Sequence, residues 1–244
     1  MVNTKKIIQL ARSVLETEAH AILNLCDRID DDFVKICQYL LSCEGRIIVT
    51  GIGKSGHIAN KIAATFASTG SPAFFMHPSE ASHGDVGVIT KKDVVIALSN
   101  SGKTEEILAI LPVIKLLGVP LISITGNPNS TLAKLANINL DVSIEKEACT
   151  LGLVPTSSTT ATLAMGDALA IALLEARGFT TEDFARSHPG GTLGKRLLLR
   201  VDTLMRTGDA IPKVKIDTLL SAALIEISSK RMGMTAVIND DGSL

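Results

Sequence analysis

A glycine-rich segment, Gly51–Gly56, carries an ammonium group and a hydroxyl group between an apolar run and a helical pattern. Its sequence, GIGKSG, has the GxGxxG spacing of dinucleotide-binding turns. The next apolar run ends at His77 instead of the acidic residue that binds a ribose, and Ile48 stands where a P-loop needs glycine. The segment therefore predicts a phosphate or anion site, with Lys54 and Ser55 at a helix N-terminus. The alternative is a tight turn that only packs the helix on the strand.

Two further segments place several hydroxyl groups at predicted helix N-termini. In SNSGKTEE, after another apolar run, the hydroxyls belong to Ser99, Ser101 and Thr104. In PTSSTTA they include those of Ser157 and Ser158. Hydroxyls together with backbone N–H groups hold phosphate without a metal, which makes both segments candidate binding sites. The alternative for each is ordinary helix capping, which accounts for one hydroxyl but not for a cluster.

The acidic residues near these clusters have no unique interpretation in the sequence. Glu105 and Glu106 follow Thr104 and favour the positive end of a helix dipole whatever else they do. Glu145, Lys146 and Glu147 form a charged trio that by default is a solvated cluster. Neither motif alone establishes a role in acid–base chemistry.

Three histidines, His77, His83 and His188, lie in segments rich in Ser, Pro and Gly. Two histidines six residues apart without an acidic cluster make a weak zinc signal, and a surface histidine is the common alternative. His188 lies in Ser-His-Pro-Gly-Gly, a rigid turn with no evident packing purpose, which favours a function.

The elements that must position these groups alternate along the chain. Short apolar strands are predicted at 46–51, 72–76, 94–99, 120–125 and 138–144. Helices are predicted at 8–22, 31–42, 56–68, 104–117, 130–135 and 159–177. This alternation predicts an α/β fold with a parallel five-stranded sheet flanked by helices, and the amphipathic last strand is expected at the sheet edge. Such sheets bind ligands beyond the carboxyl ends of their strands, where most of the candidate residues lie.

Composition excludes several classes of function. The 244 residues contain 24 Lys+Arg and 25 Asp+Glu, and aromatic residues make up 3% with no Trp. Near-neutral charge and few aromatic rings argue against nucleic-acid binding and base-stacking platforms. The four cysteines form no CxxC pair and are expected to be buried thiols. With no leader pattern and no uninterrupted membrane span, a cytoplasmic protein without membrane contact is expected.

The pattern of predicted strands and helices changes near residue 201. Residues 201–244 have their own strand–helix–strand pattern and stop directly after DDGSL, where another strand would be expected. We therefore predict a first domain over 1–200 and the beginning of a second, cut short, over 201–244.

Several separate motifs resemble those of the sugar-isomerase (SIS) domain family, and more closely its D-arabinose 5-phosphate isomerases. They are GIGKSGHIANKIAATFASTG, PSEASHGD, LSNSGKTEEI, PTSSTTATLAMGDALA and SHPGGTLGK. The tail, with MRTGDAIP and GMTAVINDDGSL, is similar to the opening of a CBS repeat. The resemblance implies a Rossmann-like SIS fold and interconversion of D-ribulose 5-phosphate and D-arabinose 5-phosphate, which supplies 3-deoxy-D-manno-octulosonate for lipopolysaccharide. It also implies a nucleotide-type effector for a complete CBS region.

The resemblance assigns roles to individual residues. The positions that match catalytic ones are Lys54, Glu106, Glu147 and His188. The positions that match substrate-contacting ones are His77, His83, Gly70 and Ser71. We expect Ser55, Ser99, Ser101, Thr104, Ser157 and Ser158 to bind the phosphate end of the substrate. No cofactor is expected to be required; His77 also matches a position where zinc binds without a catalytic role. The resemblance further implies a homotetramer whose sites draw residues from more than one subunit.

The implied reaction moves a proton between C1 and C2 through an enediol. Glu147 or Glu106 is expected to act as the carbon base, on condition that burial raises its pKa. Lys54 would stabilise the enediolate, and His188 or His83 would move hydroxyl protons. Three rival interpretations stay open: a sugar-phosphate sensor without catalysis, an SIS enzyme for another phosphosugar, and a zinc hydrolase that uses His77 and His83.

Overall fold

The computed structural model describes residues 4–191, 194–195, 197 and 199–244. Its internal contacts divide the chain into two compact units, Met1–His188 and Pro189–Leu244. Thr192 and Leu193 of the SHPGGTLGK motif lie outside the described residues. The assignment of 1–200 to the SIS domain and of 201–244 to the beginning of a CBS repeat stays a prediction.

Five parallel strands form the sheet of the first unit. They are β1 (Ile47–Thr50), β2 (Ala73–Met76), β3 (Val94–Ser99), β4 (Leu121–Thr125) and β5 (Ile138–Asp141), in the spatial order β2-β1-β3-β4-β5. The predicted parallel five-stranded sheet is confirmed, and β5 lies at an edge as expected. β5 ends before residue 144 because Asp141 already pairs with Thr125, the last residue of β4.

Among the described residues of the first unit, eight α-helices connect and cover these strands. They are α1 (Thr4–Leu23), α2 (Asp31–Leu41), α3 (Gly53–Ser68), α4 (Pro78–Ser82), α5 (Glu105–Leu117), α6 (Thr131–Leu135), α7 (Ser157–Ala176) and α8 (Thr181–Ser187). All six predicted helices are present. The two short ones that sequence reasoning missed, α4 and α8, do carry start signals: Pro78 follows the N-cap His77, and Thr180 forms a capping box with Asp183.

Both faces of the sheet are covered, because successive strand residues point to opposite sides. On one face Val49, Ile96 and Ile124 pack with residues of α2, α3 and α7 such as Ile62. On the other, Ile48 and its neighbours pack with apolar residues of α5 and α6. Helix α7 has the length and apolarity of a membrane span, but it lies in this core through Met165, Leu169 and Leu173, each at most 1% exposed.

The strand order places a topological switch point between β1 and β3. From β1 the chain continues through α3 to β2 on one side, whereas from β3 it continues through α5 to β4 on the other. The loops that follow β1 and β3 therefore separate and leave a crevice at the carboxyl ends of the strands. These are the loops that contain the two glycine- and hydroxyl-rich motifs.

The second unit contains a small strand–helix–strand element. Strands Lys213–Lys215 and Ala236–Ile238 pair in parallel, and helix Leu220–Lys230 connects them. The predicted pattern of this region is thus confirmed. The prediction that all four thiols are buried is wrong, since Cys26 is exposed and Cys37, Cys43 and Cys149 are only partly covered.

Candidate active site

A cavity of about 370 Å³ lies at the switch point between β1 and β3. Residues that follow β1 and β3 line it together with the first turn of α7. Six of the residues singled out in the sequence are in its lining: Lys54, Ser55, Ser99, Ser101, Thr104 and Ser158. Segments spread from residue 52 to residue 162 therefore converge on one crevice, because parallel strands end at the same sheet edge.

The glycines of the first motif pack α3 closely on β1. A Cβ atom on Gly56 would lie 2.8 Å from the carbonyl oxygen of Gly51, and one on Gly51 would lie 2.8 Å from that of Ser55. Lys54, in the first turn of α3, is exposed and makes no hydrogen bond or ion pair with any described residue. The glycines therefore form the packing turn, and Lys54 is left available to a ligand.

The loop after β3 arranges its hydroxyls as a connected group. The Oγ of Ser99 accepts the N–H of Gly102 at 3.0 Å and lies 2.7 Å from the Oγ1 of Thr104. Thr104 is the N-cap residue of α5, yet its side chain makes no capping hydrogen bond. Ordinary capping therefore does not account for this cluster. Since Thr104 and Ser101 also line the cavity, they are placed to bind a ligand.

Glu147 lies next to the cavity and binds the first turn of α7. Its Oε2 accepts the N–H and the hydroxyl of Thr156, at 2.8 and 3.0 Å, and the N–H of Ser158 at 3.3 Å. The Ser158 hydroxyl donates to Oε1. Glu145 and Lys146 are exposed, as a solvated cluster predicts, whereas Glu147 is half-buried and acts as the cap of α7.

These hydrogen bonds determine the ionisation of Glu147. Burial by itself would raise the pKa of the carboxyl group, but the bonds from Ser158 and Thr156 outweigh it and hold the pKa below its ordinary value. The condition set for Glu147 as the carbon base, a raised pKa, is therefore not met. A weakly basic, fully bonded carboxylate is better suited to positioning its neighbours.

Glu147 also makes stability depend on pH. Because its pKa is lower in the folded chain, its contribution is present above the unfolded pKa and disappears as pH falls through the folded pKa. We expect Glu147→Gln to lower the free energy of unfolding by about 1 kcal/mol at pH 7, since bonds to a charged acceptor are weakened. The difference from wild type should shrink towards pH 3. Urea unfolding at both pH values measures this, and the exposed Glu145→Gln is the control; an equal effect of both changes would contradict the prediction.

His77 and His83 lie at the two ends of α4, just after β2. The Nδ1 atom of His77 accepts the N–H of Ser79 at 3.3 Å, and its ring meets that of Phe75 edge-on. His83 is exposed, and neither histidine is in the lining of the cavity. In the tautomer that accepts from Ser79, the Nε2 atom of His77 carries the proton, and no three His, Cys, Asp or Glu side chains gather among the described residues. His77 as a zinc position stays a prediction.

Glu105 and Glu106 form the first turn of α5, directly after Thr104. Both are exposed, and neither is in the cavity lining. The structure thus places both carboxylates beside the crevice.

Three predicted site residues lie away from the crevice, at the amino ends of the strands. Gly70 and Ser71 precede β2; a Cβ on Gly70 would lie 2.4 Å from the ring of Phe179, and Ser71 accepts from the guanidinium of Arg177 at 3.1 Å. His188 follows α8, and its ring stacks on that of Phe184 with centroids 4.0 Å apart.

The length of α3 separates His188 from Lys54. Ser187 donates to the carbonyl of Ser68, the last residue of this helix. Lys54 is fourteen residues earlier on α3, which at 1.5 Å per residue is roughly 20 Å. Within one chain, His188 does not reach the cavity that Lys54 lines.

The structure adds residues that sequence reasoning missed. Besides the six predicted residues, the cavity is lined by Ile52, Ile58, Asn100, Pro155, Thr159 and Thr162. Asn100 lies inside the second hydroxyl motif, and Thr162 is one helical turn after Ser158, so helical spacing was the signal that could have found it. Ser157 is buried and outside the lining, and its hydroxyl has no hydrogen-bond partner among the described residues.

A larger cavity of about 960 Å³ lies elsewhere, between α2 and the edge strand β5. Its lining includes Asp27, Arg28, Lys35 and Asp141, and none of the predicted site residues. The smaller cavity at the switch point is therefore the candidate active site, because the candidate chemistry converges there.

Comparisons with known proteins show which family the chain belongs to. The SIS domain family matches residues 40–172. The chain is 60% identical over 237 residues to arabinose 5-phosphate isomerase KdsD of Pseudomonas aeruginosa, covering 97% of this chain and 73% of that protein. It is 56% identical over 233 residues to the KdsD of Escherichia coli, covering 96% and 71%. A solved Escherichia coli protein in complex with arabinose 5-phosphate has a TM-score of 0.75 and 45% identity, covering 77% of this chain and 100% of that one.

Proposed function

Because this chain belongs to the SIS-domain family of arabinose 5-phosphate isomerases, we infer that it interconverts D-ribulose 5-phosphate and D-arabinose 5-phosphate. The observation that carries this inference is the convergence of an ammonium group and several hydroxyls at the switch point of a sheet of this family. The aldose product would supply the synthesis of 3-deoxy-D-manno-octulosonate and lipopolysaccharide in the cytoplasm.

The phosphate would be held where α3 and α5 begin. Both N-termini present backbone N–H groups towards the crevice, and Ser55, Ser101 and Thr104 add hydroxyl donors. Holding the phosphate there fixes the reacting carbons relative to the neighbouring side chains, which reduces the entropy lost in the reaction.

The proton transfer needs a base at carbon and a positive group at oxygen. In the direction from ketose to aldose, a base takes a proton from C1 while the C2 oxygen gains one. The protonated base then gives a proton to C2 of the enediol as the C1 oxygen loses its own. We assign the base to Glu106, because Glu147 is held as a weakly basic acceptor. Lys54 would stabilise the negative charge on oxygen. Ketose and aldose are isomers, so the conversion has no net change in oxidation state.

Residues at the opposite edge of the sheet would enter the site of another copy of the chain. This follows for His188, Gly70 and Ser71 if they contact substrate, because His188 lies roughly 20 Å from Lys54 along α3 in its own chain. A homotetramer in which His188 moves hydroxyl protons in a neighbouring site accounts for their position. A complete CBS region would then add a nucleotide-type effector.

The activity is tested by incubating the protein with D-ribulose 5-phosphate in D₂O, with and without EDTA, and following the sugar by NMR. We expect the aldose to appear with deuterium at C2, since the enediol exchanges its proton with solvent, and at equal rates in both samples. Binding without aldose formation or exchange would indicate a sensor, faster conversion of a hexulose phosphate would indicate another isomerase, and activity lost only in EDTA would indicate a metal-dependent enzyme.

A further inference from the structure

The hydrogen bonds around Glu147 have a fixed direction. Backbone N–H groups only donate, so the two from Thr156 and Ser158 make Oε2 an acceptor. The Thr156 hydroxyl accepts the N–H of Ala148 at 2.9 Å and gives its own proton to the same carboxylate oxygen. The lowered pKa of Glu147 agrees with an ionised carboxylate that only accepts. The remaining contact, to the Ser158 hydroxyl, must then be a donation from Ser158 to Oε1.

This donation uses the only proton of the Ser158 hydroxyl. Ser158 is 2% exposed and lines the cavity, so what its oxygen can offer a ligand is lone pairs alone. A phosphate dianion also presents only acceptors, and two acceptors cannot hydrogen-bond to one another. A hydroxyl group of a sugar can donate to Ser158 without disturbing the bond to Glu147.

The loop after β3, which also lines the cavity, has the reverse polarity. Ser99 and Thr104 have two hydroxyl protons between them, and one of these protons forms the hydrogen bond that joins the two hydroxyls. The oxygen of Ser99 also accepts the N–H of Gly102. One hydroxyl proton of this pair is therefore left to donate, beside the ammonium group of Lys54 and the N-terminus of α5. A donor thus lies at the N-terminus of α5, and an acceptor lies at the N-terminus of α7, and these two helices cover opposite faces of the sheet.

We propose that Ser158, oriented by Glu147, binds a hydroxyl group of the substrate sugar and so determines specificity for a hydroxylated chain, while the phosphate binds at the loop after β3, where α5 begins. This proposal rests on the phosphosugar isomerase function proposed above. It replaces the phosphate-binding role predicted for Ser158, and it makes Glu147 a positioning residue. The sugar therefore lies across the cavity from α5 towards α7.

The test separates affinity for the sugar from affinity for phosphate. In Ser158→Ala, KM for D-ribulose 5-phosphate should rise about tenfold to a hundredfold, as expected when a buried hydrogen bond is lost. The inhibition constant of inorganic phosphate, used as a competitive inhibitor, should change less than twofold. Ser101→Ala is the matched control, in which both constants should rise together. If inorganic phosphate weakens in Ser158→Ala as much as the sugar phosphate does, the proposal is overturned.

Two further measurements keep the proposal testable if Ser158→Ala folds poorly. Wild-type protein should bind ribulose 5-phosphate analogues lacking the 3- or 4-hydroxyl group unequally, with a loss of affinity of tenfold or more for one of them. Equal binding of both would overturn the proposal.

The second measurement uses Glu147→Gln. Its amide can donate to Ser158 and free the Ser158 hydroxyl proton, so the affinity for inorganic phosphate should not weaken while the affinity for the sugar phosphate does. Calorimetry measures these affinities without turnover. If the wild-type protein binds the sugar phosphate but does not isomerise it, the proposed isomerase function is refuted, while the binding data still test the role of Ser158.

Discussion

Replacing Lys54 by methionine is expected to lower kcat/KM by about a hundredfold to a thousandfold, the usual effect of removing a charge-stabilising group at a developing oxyanion. The free energy of unfolding should change by less than about 0.5 kcal/mol, because exposed side chains without partners contribute little. Lys54 is such a residue among those the structure describes. Steady-state kinetics with ribulose 5-phosphate and urea unfolding of the same preparation measure both quantities.

Lys61→Met is the matched control for this change. Lys61 lies on the same helix, and its ammonium group pairs with Asp167 of α7, outside the cavity lining. Its loss should leave turnover within about twofold of wild type while lowering stability slightly, as expected for a partly exposed ion pair. If Lys54→Met instead lowers only the unfolding midpoint, the glycine-rich segment is a packing turn and the assignment of Lys54 is wrong.

Replacing Glu106 by glutamine is expected to lower kcat by about 10²–10⁴-fold, the usual contribution of a general base. The amide keeps the shape of the side chain and cannot take a proton from carbon. Exchange of the C1 proton of ribulose 5-phosphate with D₂O should fall by the same factor, because it reports the same step. NMR follows exchange and product formation in one sample.

The neighbouring Glu105→Gln is a close control for the Glu106 variant. Both carboxylates are exposed in the first turn of α5, so removing either has the same effect on the helix dipole. Glu105→Gln should therefore reproduce any loss of stability and leave turnover within about threefold. A larger kinetic loss in Glu105→Gln would exchange the two roles, and normal exchange in both variants would return the base to Glu147.

Several features of the site could be predicted because they depend on local order along the chain. Ser99 ends one strand and Lys54 follows another, and the carboxyl ends of parallel strands meet at one edge of the sheet, so their convergence could be predicted from the sequence. The same reasoning also places Gly70 and Ser71 at the opposite edge, because they precede β2. Assigning them to substrate by resemblance therefore already required a second copy of the chain.

Other features could not be predicted because they depend on the direction of hydrogen bonds between distant residues. Glu147 belongs to a trio that looks like a solvated cluster, and nothing in its residue types shows that one member turns inward to Thr156 and Ser158. The condition for Glu147 to act as the base, a raised pKa, is not met for the same reason. Burial by itself raises the pKa of Glu147, but the hydrogen bonds that Ser158 and Thr156 donate lower it by more.

The sequence by itself determined the alternation of strands and helices, the parallel sheet and the group of polar residues at its carboxyl edge, because apolar periodicity and glycine placement act over a few neighbouring residues. Only the tertiary structure decided which of those polar groups face one cavity, which atoms donate there and which accept. Donor and acceptor roles depend on side chains that packing brings within about 3 Å of one another. Reversing the direction of one hydrogen bond changes these roles without changing the fold.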